Sequence, residues 1–262
     1  MITRSQFLDY LRTDKLPHIW CPGCGNGIIL GAFIRAFHES GLDRDKTVIV
    51  SGIGCSGRVT QYLNFDTVHT THGRALAFAT GIKLANPELN IVVMMGDGDA
   101  LAIGGNHFIH AARRNIDLTA IIFNNSVYGM TGGQVAPTTP EGMQTSTTPY
   151  GNIEPPFDVV KLAIASGATY VARWTTYHVR LLQKSIKEAL LHKGFGVIEV
   201  LSGCPTHTKQ KPHLLLKLQK ENTYLISSKK TLPNKIPIGV FKKEDRPEYT
   251  EKYYRSIMQK FK

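Results

Sequence analysis

The chain has 262 residues, enough for one large domain or one domain with an extension, and its 42% hydrophobic residues can fill a proper core. Neither the opening segment "MITRSQFLDYLRTDKLPHIW" nor any later run is apolar enough for a targeting signal or a bilayer span, so a soluble, cytoplasmic protein is expected, with no membrane partner. The net charge of +11 is uneven: residues 205–262 carry 14 Lys and Arg against 5 Asp and Glu, the rest 17 against 15, yet no nucleic-acid-binding signature accompanies the basic tail.

In chain order, "GNGIILGAFIRAFHES" spaces its apolar residues as a helix ending near Gly41, and "KTVIVSGIGCSG" reads as a strand entering a glycine-rich turn. "GRALAFATGIKLANP" predicts a small-residue helix stopped by Pro87. Ile91 to Met95 is a buried strand, and a helix follows from about Gly104 to Arg114. "LTAIIFNN" is the next strand, with a polar end. The stretch from Ser126 to Pro156 is a loop without periodicity, and loops of that length are more often functional covers than filler. A helix (157–166), a strand (168–172), a helix (177–192) and a last apolar strand, "FGVIEVL", complete the pattern. Strands alternating with helices predict an α/β fold, a mostly parallel sheet with helices on both faces. The rhythm stops after Gly203, which divides the chain into an α/β domain, residues 1–204, and a C-terminal extension, residues 205–262.

The stretch "MMGDGDALAIGG" places two carboxylates among glycines where a strand runs into a helix. Open α/β sheets bind ligands outside the carboxyl ends of their strands. Glycines let the backbone approach a phosphate, but aspartates repel one unless a divalent cation stands between them. Asp97 and, at the end of the next strand, Asn125 are the hard oxygen donors Mg²⁺ prefers. Gly96 and Gly98 free backbone N–H groups to face a diphosphate, and the helix behind adds its positive end. A GDG turn, 25 residues and a second strand ending in Asn-Asn resemble the diphosphate-binding signature of thiamine diphosphate enzymes.

Four cysteines, Cys21, Cys24, Cys55 and Cys204, match the number that holds a tetrahedral metal or one iron–sulfur cluster. "CPGCG" by itself looks like half a zinc ribbon, although no second close pair accompanies it; a zinc staple and unligated thiols stay open on chemistry alone. "WCPGCGNG", "SGIGCSGR", "THGRALAFATGIKLANP", "GDGDALAIGGNHFIHAARRNIDL", "NNSVYGMTGGQVAPTTP" and "SGCPT" together resemble, in order and spacing, the beta subunits of 2-oxoacid:ferredoxin oxidoreductases. The likeness covers nearly the whole chain and is nearest to the 2-oxoglutarate type.

That resemblance implies a thiamine diphosphate-binding fold with one [4Fe-4S] cluster on Cys21, Cys24, Cys55 and Cys204. It implies Mg²⁺ on Asp97, Asn125 and the carbonyl of Val127, and cofactor contacts from Ile53, Gly54, Cys55, Ser56, Gly98, Asp99, Gly129 and Met130. His72 is expected as an additional pocket residue or a helix-capping histidine, and Arg58 as a cation for a substrate's distal carboxylate or a surface charge; Tyr128, His107 and His110 read as packing or helix-surface residues. The implied reaction is CoA-dependent oxidative decarboxylation of a 2-oxoacid, 2-oxoglutarate first and pyruvate or a broader range as the alternative. Electrons pass through the cluster to ferredoxin or flavodoxin. A non-redox thiamine decarboxylase is the further alternative, but it has no use for the cysteines.

Thiamine enzymes also need a glutamate beside the aminopyrimidine, and no core glutamate here sits in a suitable motif. An alpha subunit is therefore expected to complete the site, docking on an apolar face near the long loop. The basic tail either covers that partner or attracts an acidic carrier, with Lys229, Lys230, Lys242 and Lys243 as its charges and "IPIGVFKKEDRPEY" as a bound strap.

Overall fold

The structure, a computed structural model, describes residues 2–228 and 232–260. Its strands are β1 (Thr47–Ser51), β2 (Asp66–His69), β3 (Asn90–Gly96), β4 (Leu118–Asn124), β5 (Val127–Tyr128), β6 (Gln134–Val135), β7 (Tyr170–Thr175), β8 (Phe195–Leu201), β9 (Thr223–Leu225) and β10 (Ile236–Lys243). Its helices are α1 (Arg4–Asp9), α2 (Asn26–Ser40), α3 (Val59–Tyr62), α4 (Ala75–Ala85), α5 (Gly105–Arg114), α6 (Val159–Ser166), α7 (Val179–Leu191), α8 (Pro205–Thr208), α9 (Pro212–Glu221) and α10 (Tyr249–Lys260). Eight strands form one sheet in the order β2-β1-β3-β4-β8-β7-β10-β9, and β5 and β6 pair as a separate hairpin.

Alternation along β3 shows why both faces are covered. Val92 and Met94 enter a core with Phe33 and Phe37 of α2 and Ile186 of α7, whereas Ile91, Val93 and Met95 enter a second core with Leu76 of α4, Phe108 of α5 and Val160 of α6. The strand order also fixes where a ligand fits. From β1 the chain pairs with β2 on one side and β3 on the other, so the connections diverge there and leave a crevice at the carboxyl ends of β1 and β3.

The α/β rhythm does not end at Gly203. The segment read as a strap supplies β10, which pairs antiparallel with β7 and parallel with β9. Pro237 is tolerated because residues 236–238 pair only with β9, while β7 pairs with Gly239 onward. Its charges are also engaged: Lys242 lies 2.8 Å from Glu244 and Lys243 lies 3.8 Å from Glu188. Lys229 and Lys230 fall outside the described residues. The strand expected over 168–172 begins at Tyr170 and extends to Thr175, and Asp158 caps α6 through the N–H groups of Val160 and Lys161. Among the described residues no helix is long and apolar enough to cross a membrane.

Candidate active site

A cleft opens at the carboxyl ends of β1, β3 and β4. Three turns converge on it: 52–56 after β1, 96–99 after β3 and 125–131 after β4. Around it the structure gathers Ile53, Gly54, Cys55, Ser56, His72, Gly96, Asp97, Gly98, Asp99, Asn125, Val127, Gly129 and Met130. Asn26, Phe123, Tyr128 and Thr131 line it as well, unforeseen from sequence. Tyr128, expected only to pack, donates its O–H to the Gly98 carbonyl at 3.2 Å. A Cβ at Gly98 would stand 2.3 Å from that ring, so the glycine serves the tyrosine's approach as well as any ligand's. His107 and His110 sit on α5 outside the cleft. Arg58 is half-buried at the end of the turn after Cys55 and does not line the cleft; among the described residues its guanidinium has no hydrogen-bond or ion-pair partner.

Asp97 is 2% exposed. Burial pushes its carboxyl up to about 6, against the pull of donors from the Thr138 hydroxyl and the backbone of residues 97, 98 and 125. A cation in the cleft would supply the charge this buried carboxylate lacks. The Asn125 side-chain oxygen, which accepts from the Val127 N–H at 3.2 Å, stands at the head of the neighbouring turn.

Asp99 serves the protein around it. Its Oδ1 accepts from the N–H groups of Gly73 at 2.7 Å and Ile53 at 3.3 Å and is held by Nδ1 of His72. Its Oδ2 has no partner and lies where a Cβ on Gly52 would be, 1.8 Å away, so only glycine fits that position. Asp99 thus braces the turn after β1 and fixes the ring of His72 at the cleft wall. The five residues that follow Gly98, Asp99–Ile103, form a π-helical turn before α5, a departure from regular helix that recurs at functional sites.

Behind Asp97 runs a buried polar chain invisible in the sequence. The Thr138 hydroxyl touches both Asp97 and the Asn124 side-chain oxygen. Asn124 donates to Glu199 at 2.7 Å, Arg173 donates to Glu199 at 2.5 Å, and Arg173 reaches Asp158 at 2.5 Å. Glu199 and Arg173 are both buried, so Glu199→Ala leaves a guanidinium in the core with half its partners gone. The expected cost is about 3–5 kcal/mol in chemical denaturation. A loss below about 1 kcal/mol would mean that Asp158 alone satisfies Arg173.

The four cysteines meet beside the cleft as free thiols, Cys21 exposed, Cys24 and Cys55 half-buried and Cys204 buried. Donors point at their sulfurs. The N–H of Asn26 faces Cys24, those of His207 and Thr206 face Cys204, and the Thr206 hydroxyl donates to Cys21 Sγ at 3.2 Å. Burial, then the charges of Cys204, Cys24 and Cys21, push the Cys55 thiol up to about 11, so the sulfurs lie within one another's fields. Among the described residues no group of three or more His, Cys, Asp or Glu is arranged to hold a metal ion. Trp20 ties the first cysteine loop to the turn through an indole N–H to the Cys55 carbonyl at 2.6 Å. A Cβ on Gly129, a residue of the cleft wall, would lie 3.5 Å from Cys204 Sγ and 3.7 Å from Cys55 Sγ.

Comparison with known proteins gives the family and the fold. Residues 52–200 match the thiamine pyrophosphate enzyme family, C-terminal TPP binding domain. The chain is 66% identical over 252 residues to 2-oxoglutarate synthase subunit KorB of Archaeoglobus fulgidus, covering 95% of this chain and 93% of that one. It is 52% identical over 197 residues to the 2-oxoacid:ferredoxin oxidoreductase subunit beta of Saccharolobus solfataricus, covering 73% and 65%. Among solved structures, a chain of 2-oxoglutarate:ferredoxin oxidoreductase from Magnetococcus marinus, with 2-oxoglutarate, coenzyme A and succinyl-CoA bound, superposes with a TM-score of 0.91 at 33% identity. That match covers 98% of this chain and 91% of the other. The fold, the cleft at its switch point and these relatives together place the chain: it belongs to the beta subunits of the 2-oxoacid:ferredoxin oxidoreductases, with a thiamine pyrophosphate-binding domain at its centre.

Proposed function

We propose that the chain is one half of a cytoplasmic enzyme that converts 2-oxoglutarate and CoA to succinyl-CoA and CO₂ and sends two electrons to ferredoxin or flavodoxin. The observation that carries this reading is the approach of Cys55 and Cys204 to Gly129 in the wall of the cleft that holds Asp97. Asp97, the Asn125 side chain and the Val127 carbonyl would hold Mg²⁺. The N–H groups of the Gly96–Asp99 turn and the walls formed by Ile53, Gly54, Ser56 and Met130 would seat thiamine diphosphate. Cys21, Cys24, Cys55 and Cys204 would hold a [4Fe-4S] cluster, whose sulfurs want the backbone donors already aimed at these thiols. When bound, the cofactor supplies the carbanion chemistry of decarboxylation and the cluster supplies one-electron transfer. His72, braced by Asp99 through Nδ1, lines the cleft.

The activating glutamate comes from an alpha subunit. Among the described residues the buried glutamates are Glu199, committed to Asn124 and Arg173, and Glu248, committed to the N–H groups of Thr250 and Glu251. The partner docks at the tip of the long loop, where Tyr150 is 100% and Ile153 91% exposed on a backbone pinned by Asn152. The carrier approaches exposed Cys21. Pro212, at the start of α9, packs on Gly23 of the Cys21–Cys24 loop, and residues 205–220 carry four lysines and no acid.

The test is the complex of this chain with its partner, purified without oxygen. About four irons per chain are expected by Cys₄ ligation, with thiamine bound and carrier reduced in the presence of 2-oxoglutarate and CoA. Zinc without iron, or CO₂ release without reduced carrier, would reject the reading. Arg58→Ala should raise KM for 2-oxoglutarate about tenfold, the scale of a lost charge-assisted hydrogen bond, and leave pyruvate nearly unchanged. Equal loss for both acids would return Arg58 to a structural part.

A further inference from the structure

We propose that His207 is a positioning residue that couples occupancy of the four-cysteine site to the affinity of the cleft for thiamine diphosphate. The inference rests on the cluster assignment above and concerns how the two centres hold each other. Helix α8 follows Cys204 directly and has only four residues, too few to persist by its own hydrogen bonding. What anchors it are the cysteines. The N–H groups of Thr206 and His207 face Cys204, and the Thr206 hydroxyl reaches Cys21 Sγ at 3.2 Å. Iron on those sulfurs would immobilise α8; an empty site leaves it on weak thiol contacts.

The His207 side chain reaches the β5–β6 hairpin, whose turn lines the cleft. Its Nε2 lies 2.8 Å from the Gly129 carbonyl, and because a carbonyl only accepts, Nε2 carries the proton. The same ring covers Gly133, where a Cβ would fall 2.4 Å from His207 Nδ1. Gly129 and Gly133 are the two ends of the tight turn that joins β5 to β6, closed by the Gly133 N–H on the Tyr128 carbonyl at 2.8 Å. That turn carries Met130 and Thr131 on the cleft rim, and Val127 opens the hairpin two residues earlier. One imidazole therefore holds both ends of the segment that must stay still for Mg²⁺ and diphosphate to bind.

A coupling of this kind is reciprocal: if iron in the cysteine site tightens cofactor binding, bound cofactor protects the iron by the same factor. The experiment titrates the oxygen-free complex with thiamine diphosphate and Mg²⁺ by calorimetry, before and after the cluster is stripped with ferricyanide and chelator. In the wild type, stripping should weaken binding about tenfold, the scale of one positioning hydrogen bond. His207→Ala, with its iron content unchanged, should already bind about tenfold more weakly, and stripping should add little. His207→Gln, whose amide N–H can reach the same carbonyl, should restore most of the affinity and the response to stripping.

Wild-type protein that holds iron yet binds cofactor equally well after stripping would overturn the coupling alone. So would a His207→Ala effect that simply adds to that of stripping. Loss of iron from both variants would reassign His207 to the cluster site and likewise overturn it. Wild-type protein without iron would instead reject the cluster assignment beneath it.

Discussion

Asp97→Ala is expected to abolish Mg²⁺-dependent binding of thiamine diphosphate while leaving the fold intact. Asp97 is the one carboxylate at the cleft with an oxygen to offer, because Asp99 is held by His72, Gly73 and Ile53 and its other oxygen is closed off against Gly52. Losing a partner that merely orients a metal ligand costs about 10–100-fold in affinity, so loss of the ligand should exceed about 100-fold. Stability should change little. The substitution removes a carboxyl whose burial is unfavourable, which compensates for the donors left facing the gap. Calorimetric titration with Mg²⁺ and the cofactor, beside a thermal melt, separates the two effects. Normal binding by this variant would mean that another oxygen holds the metal.

The chain expressed alone is expected to release no CO₂ from any 2-oxoacid, with activity appearing on addition of the alpha subunit. A missing general acid–base group costs about 10²–10⁴-fold by itself, and the open cleft also leaves the reacting atoms in water. Among the described residues no side chain replaces it: the acids at the cleft are Asp97 and Asp99, and the buried Glu199 and Glu248 are tied elsewhere. The measurement is turnover of 2-oxoglutarate with a neutral dye as acceptor, with and without partner, on protein loaded with iron and cofactor. Steady turnover by the isolated chain would refute the division of labour. The exposed Tyr150 and Ile153 give a local check, since Tyr150→Glu should weaken assembly without touching the cleft.

Much of the site was legible because it is written as local contrast. Bare glycines and hard oxygens stand directly after apolar strands at Gly96–Asp97 and Asn124–Asn125, where period and composition both change. The cysteines were legible as a set only through the spacing of longer motifs. What escaped depends on contacts far apart in sequence. Thr138 looks like any threonine in a Thr-Thr-Pro loop, and its importance comes from lying between Asp97 and Asn124. Glu199 sits in the apolar run "FGVIEVL", where a lone acid is the one hint that Arg173 and Asn124 wait beside it. Strand β2 is four residues long and polar at both ends, and β10 carries Pro237 and Gly239, so neither has the alternation that marks a strand. Arg58 is a different case: its place in the motif suggests a pocket cation, and where it stands, outside the cleft wall of this chain, is not legible from the motif.

The strand order has a consequence for the birth of the protein. The central neighbours β4 and β8 pair Leu118 with Phe195, and the last cysteine follows only after β8 is complete. An emerging chain can form the crevice between β1 and β3 early, but it lacks the fourth thiol until more than three-quarters of it has left the ribosome. Pairings across such sequence distances are slow to close. Iron delivered to the nascent chain would find three loosely held thiols and no α8 to shield them. On the proposed cluster assignment, topology makes the fourth ligand available only after the central strands through β8 have emerged, and synthesis under iron starvation should accumulate folded, colourless chains rather than aggregates.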